Sequence, residues 1–200
     1  VGFEANHINF KNEDGTSRIQ RLWHMTGSNG TSTEYNASNI SSFTTDDQGE
    51  SHATHVAGIM GGSYKGKGTY VTLTTPDYNT PGGVGAHYVE DGGSMPFYGV
   101  ATGCDLALSC GELYGQNIVQ AVTNAIEYAE SVGKPAVVNL SLGSTTGPHD
   151  GTDYIPAALG RLGKRGIICI SAGNDGAANL YVYKKLGSVA QDRYMRTVLA

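Results

Sequence analysis

The chain has 200 residues, of which 39% are hydrophobic and 16% are charged, and its formal net charge is −5. This composition excludes a disordered chain, because a domain of this length buries about 70% of its unfolded surface. The 13 Lys and Arg residues are scattered, so the charge pattern predicts no surface for nucleic acid or for anionic membranes. No apolar run reaches the roughly 20 residues that a membrane-spanning helix needs, and we expect no span in this chain.

The first quarter of the chain, residues 1–50, is polar and rich in turn signals. We expect irregular surface structure there, around one short strand from Arg18 to Trp23. The next segment, His52 to Met60, combines small and apolar residues and is followed by Gly61-Gly62, which predicts a closely packed helix that ends at the glycines. Residues 61–98 are Gly-rich and carry three prolines, which predicts a long loop or a small hairpin insertion.

The rest of the chain alternates strands with helices. The predicted strands are Leu106 to Cys110, Ala136 to Leu142 and Ile167 to Ser171. One helix is predicted from Asn117 to Val132. A second helix, of about a dozen residues, is expected to begin at Asp153, to have Pro156 in its first turn and to stop at Gly166. This alternation predicts a parallel sheet with a site beyond the carboxyl ends of its strands. His52, Ser141 and Asn174 are expected to converge there.

Three motifs carry candidate chemistry. In Glu50-Ser51-His52-Ala53-Thr54-His55-Val56-Ala57-Gly58 the first histidine begins a helix, and imidazole suits a general base because its pKa of about 6.5 lies near working pH. His55 is expected to lie deeper and to be structural. The segment Ser141-Leu142-Gly143 lies at the end of one predicted buried strand, and the competing interpretation is a plain strand end. Asn174 follows a second predicted strand and its side chain has an NH2 donor; the competing interpretation is a plain turn.

In this order and spacing the three motifs resemble the subtilisin-like serine peptidases, over residues 50–60 and 99–176. The resemblance implies an α/β fold of three layers with a mainly parallel central sheet, incomplete at both ends. It also implies that residues 1–200 are part of one catalytic domain, with the Gly-rich insertion at about 61–98 outside the usual pattern.

The resemblance assigns roles to residues of a serine endopeptidase that hydrolyses peptide bonds in proteins. His52 would be the general base and then the general acid, Asn174 an oxyanion donor, and the main chain of Ser141, Leu142 and Gly143 a substrate-binding strand. The orienting aspartate of the family is expected just before Val1-Gly2, and the nucleophilic serine downstream of Asn174. We therefore expect the chain to be an inactive piece of a longer enzyme.

Several alternatives stay open at this point. Asp14, Asp46 and Asp47 are less favoured candidates for the orienting carboxylate, since they lie in polar, turn-like sequence. The family has glycine where this chain has Ala53, which leaves a catalytically inactive peptide-binding pseudopeptidase as the second hypothesis. A metal site through His52, His55, His87 and Asp91, or a phosphate loop at Gly61 to Lys67, fits its motif poorly.

The remaining expectations follow from the family. The partner is a polypeptide substrate, no cofactor or catalytic metal is required, and calcium is expected only as a structural ion. The location is expected to be secreted or in the cell envelope. A disulfide framework is not expected from three cysteines, although a single Cys104–Cys110 pair stays open.

Overall fold

The computed structural model describes residues 1–63, 99–144, 147 and 150–174, together with the backbone of two strands at 70–77 and 85–91. The strands are β1 (Ile19–Met25), β2 (Ser32–Asn36), β3 (Tyr70–Asp77), β4 (Gly85–Asp91), β5 (Leu106–Gly111), β6 (Val137–Leu140) and β7 (Ile167–Ile170). The helices are α1 (His52–Gly61), α2 (Gly115–Ser131) and α3 (Tyr154–Leu162), with short 3-10 turns at Ile8–Phe10 and Ile40–Ser42.

The chain divides into two compact units. The first unit comprises Val1–Gly27 and Thr31–Glu112, and the second comprises Ser28–Gly30 and Leu113–Ala200. In the first unit β1 is the middle strand of a three-stranded sheet, antiparallel to β2 and parallel to β5. In the second unit β6 and β7 are parallel, with Val137 opposite Ile167 and Leu140 opposite Ile170. Parallel strands joined through a helix confirm the predicted α/β class.

The expectation of irregular surface structure over residues 1–50 is wrong for the two strands β1 and β2 and for the buried residues of this segment. The strand β1 is longer than the predicted Arg18 to Trp23, and its residues Ile19 and Leu22 are fully buried. A shift of register between Ile19 and Arg21, opposite β5, breaks the alternation of buried and exposed positions that would have marked a strand. The N-terminal segment also supplies core residues, namely Phe3, Ala5 and Phe10.

A buried arginine joins β1 to the end of α1. The guanidinium of Arg18 donates hydrogen bonds to the carbonyls of Gly61 and Thr102, both at 2.8 Å. Burial lowers the pKa of Arg18, yet its cation lies where the helix dipole is negative, at the carboxyl end of α1. This contact, together with the Gly61-Gly62 pair, places the end of α1 one residue after the predicted end.

Residues 61–98 contain a pair of antiparallel strands, which agrees with the small hairpin that was one of the two predictions for this segment. Strands β3 and β4 pair antiparallel from Tyr70 opposite Asp91 to Asp77 opposite Gly85. The register shifts between Leu73 and Pro76, as expected where a proline cannot donate to the ladder.

In the second unit α2 and α3 cover one face of the β6–β7 sheet. The side chains in this core are Val122, Ile126, Leu140, Leu159 and Leu162. The helix α3 begins as predicted, since the Asp153 carboxylate accepts from the Tyr154 amide at 2.7 Å. The predicted stop at Gly166 is wrong, because the helix ends at Leu162 with Gly163 as its cap. Residues 163–166 form the turn that leads from α3 into β7.

The cysteines are free thiols, so the Cys104–Cys110 pair that the sequence left open does not form. Cys110 is buried on β5 whereas Cys104 is exposed in the loop before it. Burial, and next the nearby carboxylate of Asp46, raise the pKa of the Cys110 thiol. Among the described residues, no helix is long and apolar enough to cross a membrane.

Candidate active site

The histidine of the first motif begins α1, as predicted, and it is exposed. Within the described part of the chain, the Ser51 side chain does not cap this helix. Instead, backbone carbonyls of the N-terminal segment accept hydrogen bonds from amides in the first turn of α1, which have no partner within the helix. These bonds are Ala53 N to Val1 O at 3.0 Å and Thr54 N to Gly2 O at 3.2 Å.

The side chain of Thr54 adds a second connection to the same segment. Its hydroxyl donates to the Gly2 carbonyl and accepts from the Glu4 amide, both at 2.8 Å. Gly2 has a φ of 72°, and a Cβ there would stand 2.3 Å from the carbonyl carbon of Glu50. The close approach of Val1–Glu4 to the helix start therefore requires glycine at position 2.

His55 is not the buried structural histidine that the sequence predicts, because it is exposed like His52. The buried face of α1 is formed by Ala57 and Gly61. At 3.6 residues per turn, His55 lies about 160° around the helix from Ala57, which explains its exposure. Ala53, which stands where the family has glycine, packs its methyl group against the core of the first unit.

One carboxylate in the first unit has an environment that the sequence did not predict. The side chain of Asp46 is only 1% exposed. It accepts hydrogen bonds from the backbone amides of Phe3 at 2.7 Å and of Gly111 at 2.9 Å. Both donors are more than 40 positions away along the chain, so no local pattern around Asp46 could reveal this burial.

In the second unit the segment Ser141–Gly143 leaves β6 at its carboxyl end. The predicted strand Ala136 to Leu142 is shortened to Val137–Leu140, and the residues after it are irregular but anchored. Ser171 holds them from the neighbouring strand end: its amide donates to the Leu140 carbonyl and its hydroxyl to the Leu142 carbonyl, both at 3.1 Å.

Asn174 is exposed in a bend after β7. The strand before it, predicted as Ile167 to Ser171, ends one residue earlier, at Ile170. Gly173, just before it, has a φ of 91°, a conformation that side chains other than glycine rarely adopt. Because β6 and β7 are parallel, Ser141–Gly143 and Asn174 leave the same edge of their sheet.

The competing sites gain no support from the described residues. Among these residues, no group of three or more His, Cys, Asp or Glu side chains could hold a metal ion. Residues 64–67 of the phosphate-loop alternative, and the side chains of His87 and Asp91, lie outside the described part.

The first unit thus has an exposed histidine at a helix start, and the second unit has polar segments at the carboxyl edge of two parallel strands, where ligands bind in open α/β sheets. The chain belongs to the subtilase family of peptidases, whose sequence model matches residues 1–193. The match extends the resemblance seen in residues 50–60 and 99–176 to nearly the whole chain.

A solved structure supports the same fold. The chain is similar to the CspB protease of Clostridium perfringens, with a TM-score of 0.63 and 21% sequence identity over 88% of this chain. The chain spans 34% of the length of that protease. A search of curated proteins gave no match.

Proposed function

We propose that this chain is part of a serine endopeptidase of the subtilase type, which hydrolyses peptide bonds in proteins. One observation carries the proposal: the backbone of Val1 and Gly2 is hydrogen-bonded to the first turn of the helix that begins with His52. In the resemblance, Val1-Gly2 follows the aspartate that orients the catalytic histidine. The two hydrogen bonds therefore support an aspartate immediately before Val1 that lies near His52.

His52 then performs both proton transfers of the reaction. Its neutral imidazole takes the proton of the serine hydroxyl as the oxygen attacks the peptide carbonyl, and it later gives this proton to the departing amine. Exposure of His52 at a helix start is consistent with this role, since the base must reach solvent and substrate. The serine is expected beyond Asn174, in the longer protein.

The two segments at the edge of β6 and β7 serve the substrate. The NH2 group of Asn174 donates to the oxyanion that develops when the carbonyl becomes tetrahedral. The main chain of Ser141, Leu142 and Gly143 pairs with an extended substrate strand. The anchoring of Leu140 and Leu142 by Ser171 supports this role, because a pairing strand must be held in a fixed register.

The proposal extends to the architecture and setting of the whole enzyme. It comprises a three-layer fold with a mainly parallel central sheet, a polypeptide substrate, and a secreted or cell-envelope location. No cofactor takes part in the chemistry, and calcium would act as a structural ion.

The test is labelling of the full-length natural protein with a fluorophosphonate probe, which reacts with an activated serine. His52→Ala is expected to slow labelling at least about 1,000-fold, since the nucleophile loses its base. His55→Ala is the matched control, because this histidine is also exposed on α1, and it should label at close to the wild-type rate.

Two results would contradict the proposal. Equal labelling of His52→Ala and the wild type would remove His52 from the reaction. A folded full-length protein that never labels would instead favour the inactive peptide-binding pseudopeptidase.

A further inference from the structure

Asp46 has no role in the chemistry described above, yet its side chain is only 1% exposed. It lies six positions before His52 in the sequence. Burying a carboxylate costs free energy unless its oxygens accept hydrogen bonds. The hydrogen-bond partners of Asp46 therefore indicate which segments of the fold it connects.

The two oxygens of Asp46 bind backbone amides from two different segments. Oδ1 accepts from Phe3 N at 2.7 Å, and Oδ2 accepts from Gly111 N at 2.9 Å. Oδ2 also lies 3.9 Å from the backbone nitrogen of Val1. Through these two bonds Asp46 connects the N-terminal segment to the end of β5.

The end of β5 is a firm anchor for this connection. Gly111 has a φ of 106°, and a Cβ on it would stand 2.3 Å from the carbonyl oxygen of Met25. The next amide, that of Glu112, donates to the same Met25 carbonyl at 3.0 Å. Gly111 is thus packed against the end of the central strand β1 and has little freedom to move.

The N-terminal segment is held from two sides. Asp46 binds the amide of Phe3, while Thr54 on α1 binds the next amide, that of Glu4, and the carbonyl of Gly2. The segment is therefore hydrogen-bonded both to Asp46 and to the first turn of α1.

We propose that Asp46 is a positioning residue of this peptidase. It fixes Val1–Phe3 between the end of β5 and the helix start, and in this way it sets the position of His52 relative to the chain that precedes Val1. The inference rests on the proposed function, because positioning matters only if His52 acts as the base. Displacement of a catalytic group by about 1 Å can cost 100-fold in rate.

The neighbouring Asp47 provides a matched control. It is exposed, and its carboxylate accepts the amide of Gly49, two positions away, in a local turn. The two residues are adjacent and carry the same charge, but the contacts of Asp47 stay within its own loop. A change of net charge or of loop composition would affect both positions alike.

The experiment measures kcat and KM for a chromogenic peptide with the full-length protein and its Asp46→Asn, Asp46→Ala and Asp47→Asn variants, well below their unfolding midpoints. Asp46→Ala is expected to lower kcat about 100-fold with KM changed less than about threefold. Asp46→Asn keeps one carbonyl acceptor in the same shape and should lie between Asp46→Ala and the wild type. Asp47→Asn should match the wild type.

The outcomes separate this inference from the proposed function. An inactive wild type would refute the peptidase and with it the positioning role. An active wild type with equally active, folded Asp46 variants would refute the positioning role alone. A raised KM at unchanged kcat, or failure of both Asp46 variants to fold, would likewise overturn it, since Asp46 would then serve substrate binding or stability.

Discussion

His52 and Asn174 are held in contrasting ways. The helix start at His52 is joined to the N-terminal segment by two backbone hydrogen bonds and by both bonds of the Thr54 hydroxyl. Asn174 lies four residues after the end of β7, and its backbone direction is set by the positive φ of Gly173. His52, the proposed general base, thus belongs to a segment held by several hydrogen bonds, whereas Asn174, the proposed oxyanion donor, lies on an exposed loop.

The cores of the two units differ in the same sense. In the first unit β1 lies between two strands, and its residues Ile19 and Leu22 are fully buried. In the second unit one face of the β6–β7 sheet is covered by helices, and Val137 and Ile167 keep 66% and 64% of their surface exposed. Substitutions of buried core residues in the first unit should therefore act on stability, and a substitution of the exposed Asn174 in the second unit should act on activity.

Of the substitutions that compare the two units, Asn174→Ala at the proposed oxyanion donor is expected to have the largest effect. Asn174→Ala should lower kcat of the full-length enzyme by about 100- to 1,000-fold, because it removes a donor that acts in the transition state. The unfolding midpoint should stay unchanged, since Asn174 is exposed. Asn124→Ala on α2 removes a similar amide from the same unit and should leave kcat unchanged. A large loss of stability in Asn174→Ala would contradict the contrast drawn above.

A substitution in the central strand is expected to act on stability instead. Leu22→Ala should lower the free energy of unfolding by about 3 kcal/mol, the usual cost of a cavity at a fully buried leucine. Val137→Ala, at a position 66% exposed, should cost less than about 0.5 kcal/mol. Denaturant unfolding of the full-length protein measures both, and similar losses would show that the second sheet is as well packed as the first.

Alanine substitutions at two glycines distinguish the free-energy cost of backbone strain from that of a steric clash. Gly2 and Gly15 have φ angles of 72° and 83°, but no described heavy atom lies within 4 Å of a Cβ at Gly15. Gly15→Ala should therefore cost about 1 kcal/mol of unfolding free energy, from strain alone. Gly2→Ala should cost at least about 2 kcal/mol and should also lower kcat, because the new methyl group meets the Glu50 backbone. Equal costs would mean that the segment Val1–Phe3 can move away from α1 freely.

The smallest effect concerns an ion pair on the surface of the second unit. Arg165 binds Glu130 through two hydrogen bonds, of 2.9 and 2.7 Å, and these lower the pKa of Glu130 below its usual 4.5. A carboxylate with a lowered folded pKa stabilises the protein above its unfolded pKa, and this contribution is lost as pH falls through the folded pKa. Glu130→Gln should therefore lower the melting temperature slightly at pH 7 and have no effect at about pH 2. A difference that persists in acid would contradict the assignment to charge.

The part of the fold that depends on local pattern could be predicted from the sequence. The helix at His52 and the start of α3 at Asp153 were predicted correctly, because glycine pairs and a capping carboxylate act within a few residues. The burial of Ile19 and Leu22 in β1 could not be predicted, since the register shift in this strand removes the alternation that marks a strand. Asp46 was missed for a related reason: its partners Phe3 and Gly111 are brought to it by the fold.

The candidate site shows the same division. His52, Ser141–Gly143 and Asn174 were selected because they lie in recognisable motifs, and their roles remain predictions. The contacts that hold them, through Thr54 and Ser171, involve ordinary hydroxyl residues with no distinctive spacing. Such supporting residues are chosen by geometry, which a single sequence does not display.

The most direct test of the whole account is a crystal structure of the full-length protein after reaction with a peptidyl chloromethyl ketone, a reagent that alkylates the histidine of a serine peptidase. The account predicts a covalent bond to a ring nitrogen of His52 and none to His55, the other exposed histidine of α1. Alkylation of another histidine in place of His52 would contradict it.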